Sequence, residues 1–222
     1  MANLRSGSYG SYYGSFYSQS EPLSFSEQQV NVTYIFSFLS KKGWTKNAIS
    51  GLLGNMQAES SINPGRWQSD NVGSTTNGYG LVQWTPASTY FNWCTAEGYS
   101  DPSEMDANLN RILYELENNL QWYATSSYDI SFKEFTKSTA TPSYLAKAFL
   151  LNYERPKDQS ESVQQYRGAL ADEWFKILSG ATPSEPSNPD TPNNPITTKK
   201  DKKFNFLLFT ANKRRKTWIK NH

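Results

Sequence analysis

One histidine and one cysteine occur among 222 residues, and that scarcity removes much chemistry. The histidine is His222, the final residue, where chains usually fray. Ser-His-Asp and Cys-His catalysis need an imidazole beside the nucleophile, and zinc peptidases and amidases usually draw on histidine ligands. One cysteine forms neither an internal disulfide nor a Cys-rich metal site. No apolar run approaches the ~20 residues of a membrane span. The polar N-terminus lacks the apolar core of a secretory signal. Catalysis in such a chain is expected to rest on carboxylates, hydroxyls and amides, with no metal and no cofactor.

The net charge of +2 averages unlike parts. Residues 1–20 hold only Arg5. Residues 21–180 hold 12 Lys/Arg against 17 Asp/Glu, and residues 181–222 hold 9 against 3. An acidic body therefore carries a strongly basic tail. The length suffices for one or two domains with a real core.

Residues 1–21 are rich in Ser, Gly and Tyr and read as a flexible arm. Residues 22–180 read as one folded body, helical almost throughout. Ser24-Phe25-Ser26-Glu27 has capping-box spacing and opens a helix with Tyr34, Ile35, Phe38 and Leu39 on one face. Thr45 caps a second helix with Ile49, Leu52, Leu53 and Met56 in a stripe. Thr85-Pro86 reads as a cap followed by a first-turn proline. Met105, Leu109, Ile112, Leu113, Leu116 and Leu120 mark the strongest amphipathic helix. Residues 131–137 allow one or two turns. Thr141-Pro142 opens a helix carrying Leu145, Phe149 and Tyr153, and a last helix carries Val163, Tyr166, Leu170 and Trp174. Residues 61–84, rich in Asn, Gly, Ser and Thr, read as loops or a small irregular sheet inserted between helices. Prolines at 183, 186, 189, 192 and 195 indicate an extended spacer over 181–198, spanning roughly 45 Å as polyproline II. A basic tail with aromatic and apolar residues follows at 199–222.

Two segments could carry chemistry. Glu59 follows Met56 by three residues and Leu52 by seven, so a carboxylate falls on the apolar stripe at a helix C-terminus. Burial and the negative end of the helix dipole both disfavour its ionised form. A carboxylic acid still protonated near neutral pH is what general-acid cleavage of a glycosidic bond requires. Solvation, or an ion pair with a cation such as Arg66, is the plainer alternative. In Gly78-Tyr79-Gly80-Leu81-Val82-Gln83-Trp84, glycines permit close approach of a ligand. Tyr79 and Trp84 could stack on sugars, and Gln83 could bind hydroxyl or acetamido groups. Core packing of a small hairpin is the alternative.

Several ordered runs carry a resemblance. They are Gly43-Trp44-Thr45-Lys46-Asn47-Ala48-Ile49, Gly54-Asn55-Met56-Gln57-Ala58-Glu59-Ser60, Ile62-Asn63-Pro64-Gly65, Gly80-Leu81-Val82-Gln83-Trp84-Thr85-Pro86 and Tyr153-Glu154-Arg155-Pro156. Together they resemble the lysozyme-like tail lysins of bacteriophages that infect Gram-positive bacteria, over about residues 27–180. The layout is similar to goose-type lysozymes and lytic transglycosylases. The resemblance implies a mainly α, lysozyme-like fold that cleaves the peptidoglycan glycan strand. It makes Glu59, followed by Ser60, the catalytic acid, and makes Tyr153 a residue that holds the acid or the substrate. For a second carboxylate, Asp70 and Glu154 are the candidates; a route in which Glu59 serves alone as acid and then base needs neither. The implied partners are glycan strands and other phage tail proteins. The implied location is a virion tail, or the bacterial wall for a released lysin. The tail at 199–222 suits an anionic wall polymer or membrane surface. No nucleic-acid partner is expected, because an aromatic-basic mix alone does not establish one. Cys94, among Tyr90, Phe91 and Trp93, is expected to be a buried, inert thiol.

Overall fold

The computed structural model describes residues 3–9 and 12–180. The spacer and basic tail expected beyond 180 lie outside these residues. The architecture is mainly α, with seven α-helices and one two-stranded sheet among the described residues.

The helix caps fold as their spacing dictates. The Ser24 side chain accepts from Glu27 N–H and opens α1 (Phe25–Lys41). Thr45 accepts from Ala48 N–H at 3.1 Å and opens α2 (Lys46–Ser60). These caps satisfy N–H groups that the first turn leaves unpaired. α3 (Ala87–Ala96) starts differently from the expectation. Pro86 is itself the N-cap, and Thr85 Oγ1 donates back to the Gln83 carbonyl instead of capping. α4 (Met105–Glu117) follows. It stops before Leu120, which is 40% exposed rather than part of the apolar stripe; Asn119 at φ 52° has already turned the chain. α5 (Phe132–Lys137) is short, and Thr141 caps α6 (Pro142–Phe149). α6 runs into a π-helical turn, Leu150–Glu154, before α7 (Glu161–Leu178).

α2 is the central helix, buried over most of its circumference from Ala48 to Met56. A helix apolar on all sides belongs inside a core. Its glycines set the packing distance. A Cβ on Gly51 would come within 2.8 Å of Leu145 on α6, and one on Gly54 within 2.5 Å of the Arg167 carbonyl on α7. Only glycine lets the three helices approach this closely.

The flexible arm expected at 1–21 is corrected over residues 3–9 and 12–18. β1 (Asn3–Tyr9) and β2 (Tyr12–Ser18) form an antiparallel hairpin, with Asn3 opposite Ser18 and Gly7 opposite Gly14. Tertiary anchors supply the stability that composition does not advertise. Phe16 is fully buried, edge-on to Tyr34 with centroids 5.8 Å apart. Asn31 exchanges two hydrogen bonds with the Tyr17 backbone. Arg5 pairs with Asp101 and Glu104 just before α4.

The inserted segment at 61–84 contains a 3-10 turn, Gln68–Asp70, and single antiparallel bridges linking Tyr79 to Trp67 and to Trp84. Its backbone is otherwise irregular, as the Asn/Gly/Ser composition implies.

Candidate active site

Glu59 stands in the last turn of α2. Its side chain is 20% exposed and pairs with the Arg167 guanidinium, Nη2 to Oε1 at 2.5 Å. The expectation of a carboxylate enclosed by the apolar stripe is corrected: the stripe ends at Met56, and the neighbour of Glu59 is a cation from α7. Arg167 is itself held, donating from Nη1 to Asn55 Oδ1 at 3.2 Å. Asn55 in turn donates to the Gly51 and Ala146 carbonyls, each at 3.0 Å. One side chain thus ties α2, α6 and α7 together behind the acid.

The chain just after Glu59 is sharply bent. Ser61 and Ile62 both lie at positive φ, 55° and 53°. For a β-branched residue this conformation is an outlier, held only where the surroundings impose it. They do so here. The Ile62 N–H donates to the Met56 carbonyl at 3.2 Å, and Asn31 Nδ2 donates to the Ile62 carbonyl at 2.7 Å. Ser60 is 2% exposed, and its hydroxyl reaches the carbonyls of Met56 and Leu81, each at 2.9 Å. Ser60 therefore ties the helix end to the inserted loop.

Glu154 ends the π-helical turn. Its Oε1 is closed off from solvent with no hydrogen-bond partner. Burial pushes its pKa well above the ordinary carboxylate value, and the negative charge of Glu59 pushes it further, while Arg167 acts in the opposite direction. Glu59, Glu154 and Arg167 thus form one electrostatic cluster. A π turn inserts an extra residue into the helix. Here it accompanies Tyr153 turned into the core, 1% exposed, immediately before Glu154.

Tyr153 does not reach Glu59 through any hydrogen bond. Its hydroxyl donates to Oε2 of Glu115 on α4, a carboxylate that sequence reasoning did not single out. Glu115 is 1% exposed and also accepts from Trp84 Nε1 at 3.0 Å and Arg111 Nε at 2.8 Å. Burial raises its pKa, while Tyr153, Arg111 and Trp84 offset part of that rise. The missed signals were available: Arg111 and Glu115 stand four apart, and Arg167 lies four before the buried Ala171 on α7.

Trp84 stacks on Tyr90, with centroids 4.5 Å apart and planes at 13°. Tyr79 lies edge-on to Trp67 and Phe91. At 8% and 3% exposure, neither presents a face to a sugar, so their expected stacking role is corrected to walls of the inserted loop. Gln83 is half-buried at φ 53°, and its carboxamide donates to the Arg66 and Gly80 carbonyls. Asp70 is 72% exposed and pairs with Arg66 at 2.5 Å. No contact joins it to Glu59 or Glu154, whereas Glu59 and Glu154 are brought together. Cys94 is buried, and burial raises its thiol pKa.

Among the described residues, no group of three His, Cys, Asp or Glu is placed to hold a metal ion, and no helix is long and apolar enough to cross a membrane. A shallow cavity of about 430 Å³ lies elsewhere, lined by Trp44, Lys133 and Lys137 near the start of α2. It holds none of the residues above.

The family model of the phage tail lysozyme matches residues 30–178. Morphogenesis protein 1 of Bacillus phage B103 is 50% identical over 165 residues, covering 74% of this chain but 44% of that protein. The chain therefore spans less than half the length of this relative. The matched segment contains α2 with Glu59, the inserted loop, the π turn with Glu154, and α7 with Arg167. With the family model matching residues 30–178, well over half of its length, the chain belongs to the phage tail lysozyme family.

Proposed function

We propose that this domain is a glycosidase that cleaves the N-acetylmuramic acid–N-acetylglucosamine backbone of peptidoglycan, with Glu59 as the general acid. The observation that carries this reading is the placement of Glu59. It sits in the last turn of the central helix, partly open to solvent, beside a strained turn and in one electrostatic cluster with the buried Glu154. Family membership supports the substrate class.

Glu154 supports Glu59 rather than acting as the nucleophile. A retaining route needs an ionised second carboxylate, and burial disfavours the ionised form of Glu154. Glu59 then works first as acid and afterwards as base. It activates either a water or the sugar's own 6-hydroxyl, which closes an anhydro ring. Asp70, paired with Arg66, takes no part. The site acts from a phage tail on the bacterial wall.

Glu59→Gln tests the assignment on purified cell walls, with released muropeptides identified by mass spectrometry. Loss of products with an unchanged circular dichroism spectrum is expected. Undiminished release would end the assignment. The products also separate hydrolysis from anhydro-ring formation.

That the Bacillus phage relative is a morphogenesis protein favours a second reading. In it the domain is a structural or wall-binding part of the tail that keeps the fold without turnover. Wall pelleting without any released muropeptide would identify it.

A further inference from the structure

With Tyr79 and Trp84 buried, a glycan strand over Glu59 needs another aromatic platform. Tyr123 is 66% exposed. No aromatic side chain among the described residues is more exposed.

The position is rigid. Tyr123 N–H donates to the Asn152 carbonyl at 2.9 Å, and Gln121 Nε2 donates to the Tyr153 carbonyl at 3.1 Å. Arg155 Nη1 donates to the carbonyls of Gln121 and Asn152. Asn152 Oδ1 accepts from both the backbone and the hydroxyl of Thr125, each at 2.9 Å. These bonds stitch residues 121–125 to the π turn that carries Glu154. Gln121 and Arg155 both lie at positive φ, 64° and 45°, conformations that non-glycine residues hold only when the surroundings enforce them. The Arg155 guanidinium rests 4.6 Å from the Tyr123 ring centroid and backs one face. No aromatic ring packs on Tyr123 among the described residues. Arg155 Nε and Nη2 likewise hold no hydrogen-bond partner there.

We infer that Tyr123 and Arg155 form a saccharide subsite for an N-acetylated hexosamine of the glycan strand. The pyranose stacks on the open face of Tyr123 while Arg155 holds the other face, and the free Nε and Nη2 of Arg155 serve a sugar substituent that extends past the ring edge, an acetamido carbonyl or carboxylate. A pyranose offers an apolar C–H face with polar acceptors at its rim, and a flat aromatic beside a planar donor fork complements both. The bonds of Tyr123 and Gln121 to the Asn152 and Tyr153 carbonyls, and the Arg155 charge acting on the Glu154 carboxyl, place the subsite beside the catalytic cluster. This deepens the proposed function and rests on it for the choice of substrate.

The test is calorimetric titration of the tetramer of N-acetylglucosamine into the E59Q protein, which leaves the ligand intact. Adding Tyr123→Ala should weaken binding about tenfold, Tyr123→Trp should retain it, and both should melt like the parent because the side chain is exposed. In the wild-type background, Tyr123→Ala should raise KM with kcat nearly unchanged. Equal affinity in Tyr123→Ala, or no tetramer binding with Tyr123 intact, would overturn the subsite. Tyr123-dependent binding by a wild-type protein that cleaves no glycan would uphold the subsite and remove the catalytic reading.

Discussion

The Tyr153 hydroxyl donates to Glu115, 38 residues away, inside the core. Glu115 also takes hydrogen bonds from Trp84, at the end of the inserted loop, and from Arg111, one turn earlier on α4. A single carboxylate therefore links the loop to the π turn that carries Glu154. Removing it strands a buried guanidinium, an indole N–H and a phenol. Glu115→Ala should destabilise the domain by about 3–5 kcal/mol, the range for breaking a buried ion pair. Glu115→Gln, which keeps an acceptor, should lose less. Urea denaturation of both variants measures the difference, and equal losses would contradict the network.

Glu59→Gln should lower turnover on the order of 100- to 10,000-fold, the usual contribution of general acid–base catalysis. The amide oxygen still accepts from Arg167, so the melting temperature should stay close to wild type. Reducing ends released from purified walls report the rate. A variant that clears walls at the wild-type rate would move the acid elsewhere.

Gly54→Ala probes how α7 is seated. The added methyl would meet the Arg167 carbonyl at 2.5 Å and the Ala171 Cβ at 2.9 Å. Overpacking of this kind costs about 1–3 kcal/mol. The displaced segment includes Arg167, so wall-lytic activity should fall further than stability alone explains. Full activity in a destabilised Gly54→Ala protein would separate Arg167 from the chemistry.

Glu154 makes stability depend on pH. Its pKa in the folded chain is raised above the usual glutamate value of 4.5, chiefly by burial. Folding therefore favours the protonated form, and this contribution is complete below about 4.5 and lost as pH rises through the folded value. The wild-type melting temperature should carry a decline above that point, and Glu154→Gln should flatten the decline. Parallel slopes for the two proteins, measured by scanning calorimetry, would contradict the buried acid.

Much of the helical framework was readable because each helix carries its own signal. The Ser24 and Thr45 caps and the apolar stripes act within a turn or two of chain, where neighbours in sequence are neighbours in space. Glu59 stood out for the same reason. The hairpin at the N-terminus did not. A Ser/Gly/Tyr segment has little apolar periodicity, and Phe16, Arg5 and the Tyr17 backbone are held by Tyr34, Asp101 and Asn31 from elsewhere in the fold. The aromatics misled in a similar way. Tyr79, Trp84 and Tyr123 are all aromatic in sequence, and only packing buries two of them and leaves the third in solvent.

From sequence alone came the mainly α architecture, the position of α2 and the carboxylate at its end, because helix periodicity and capping are local. Tertiary structure decided the partners: Arg167 on Glu59, Glu154 in the field of Glu59, and Glu115 between Tyr153 and Trp84. Those pairings join residues 31 to 108 positions apart. Spacing along the chain does not specify such distances; burial and the closing of helices around α2 do.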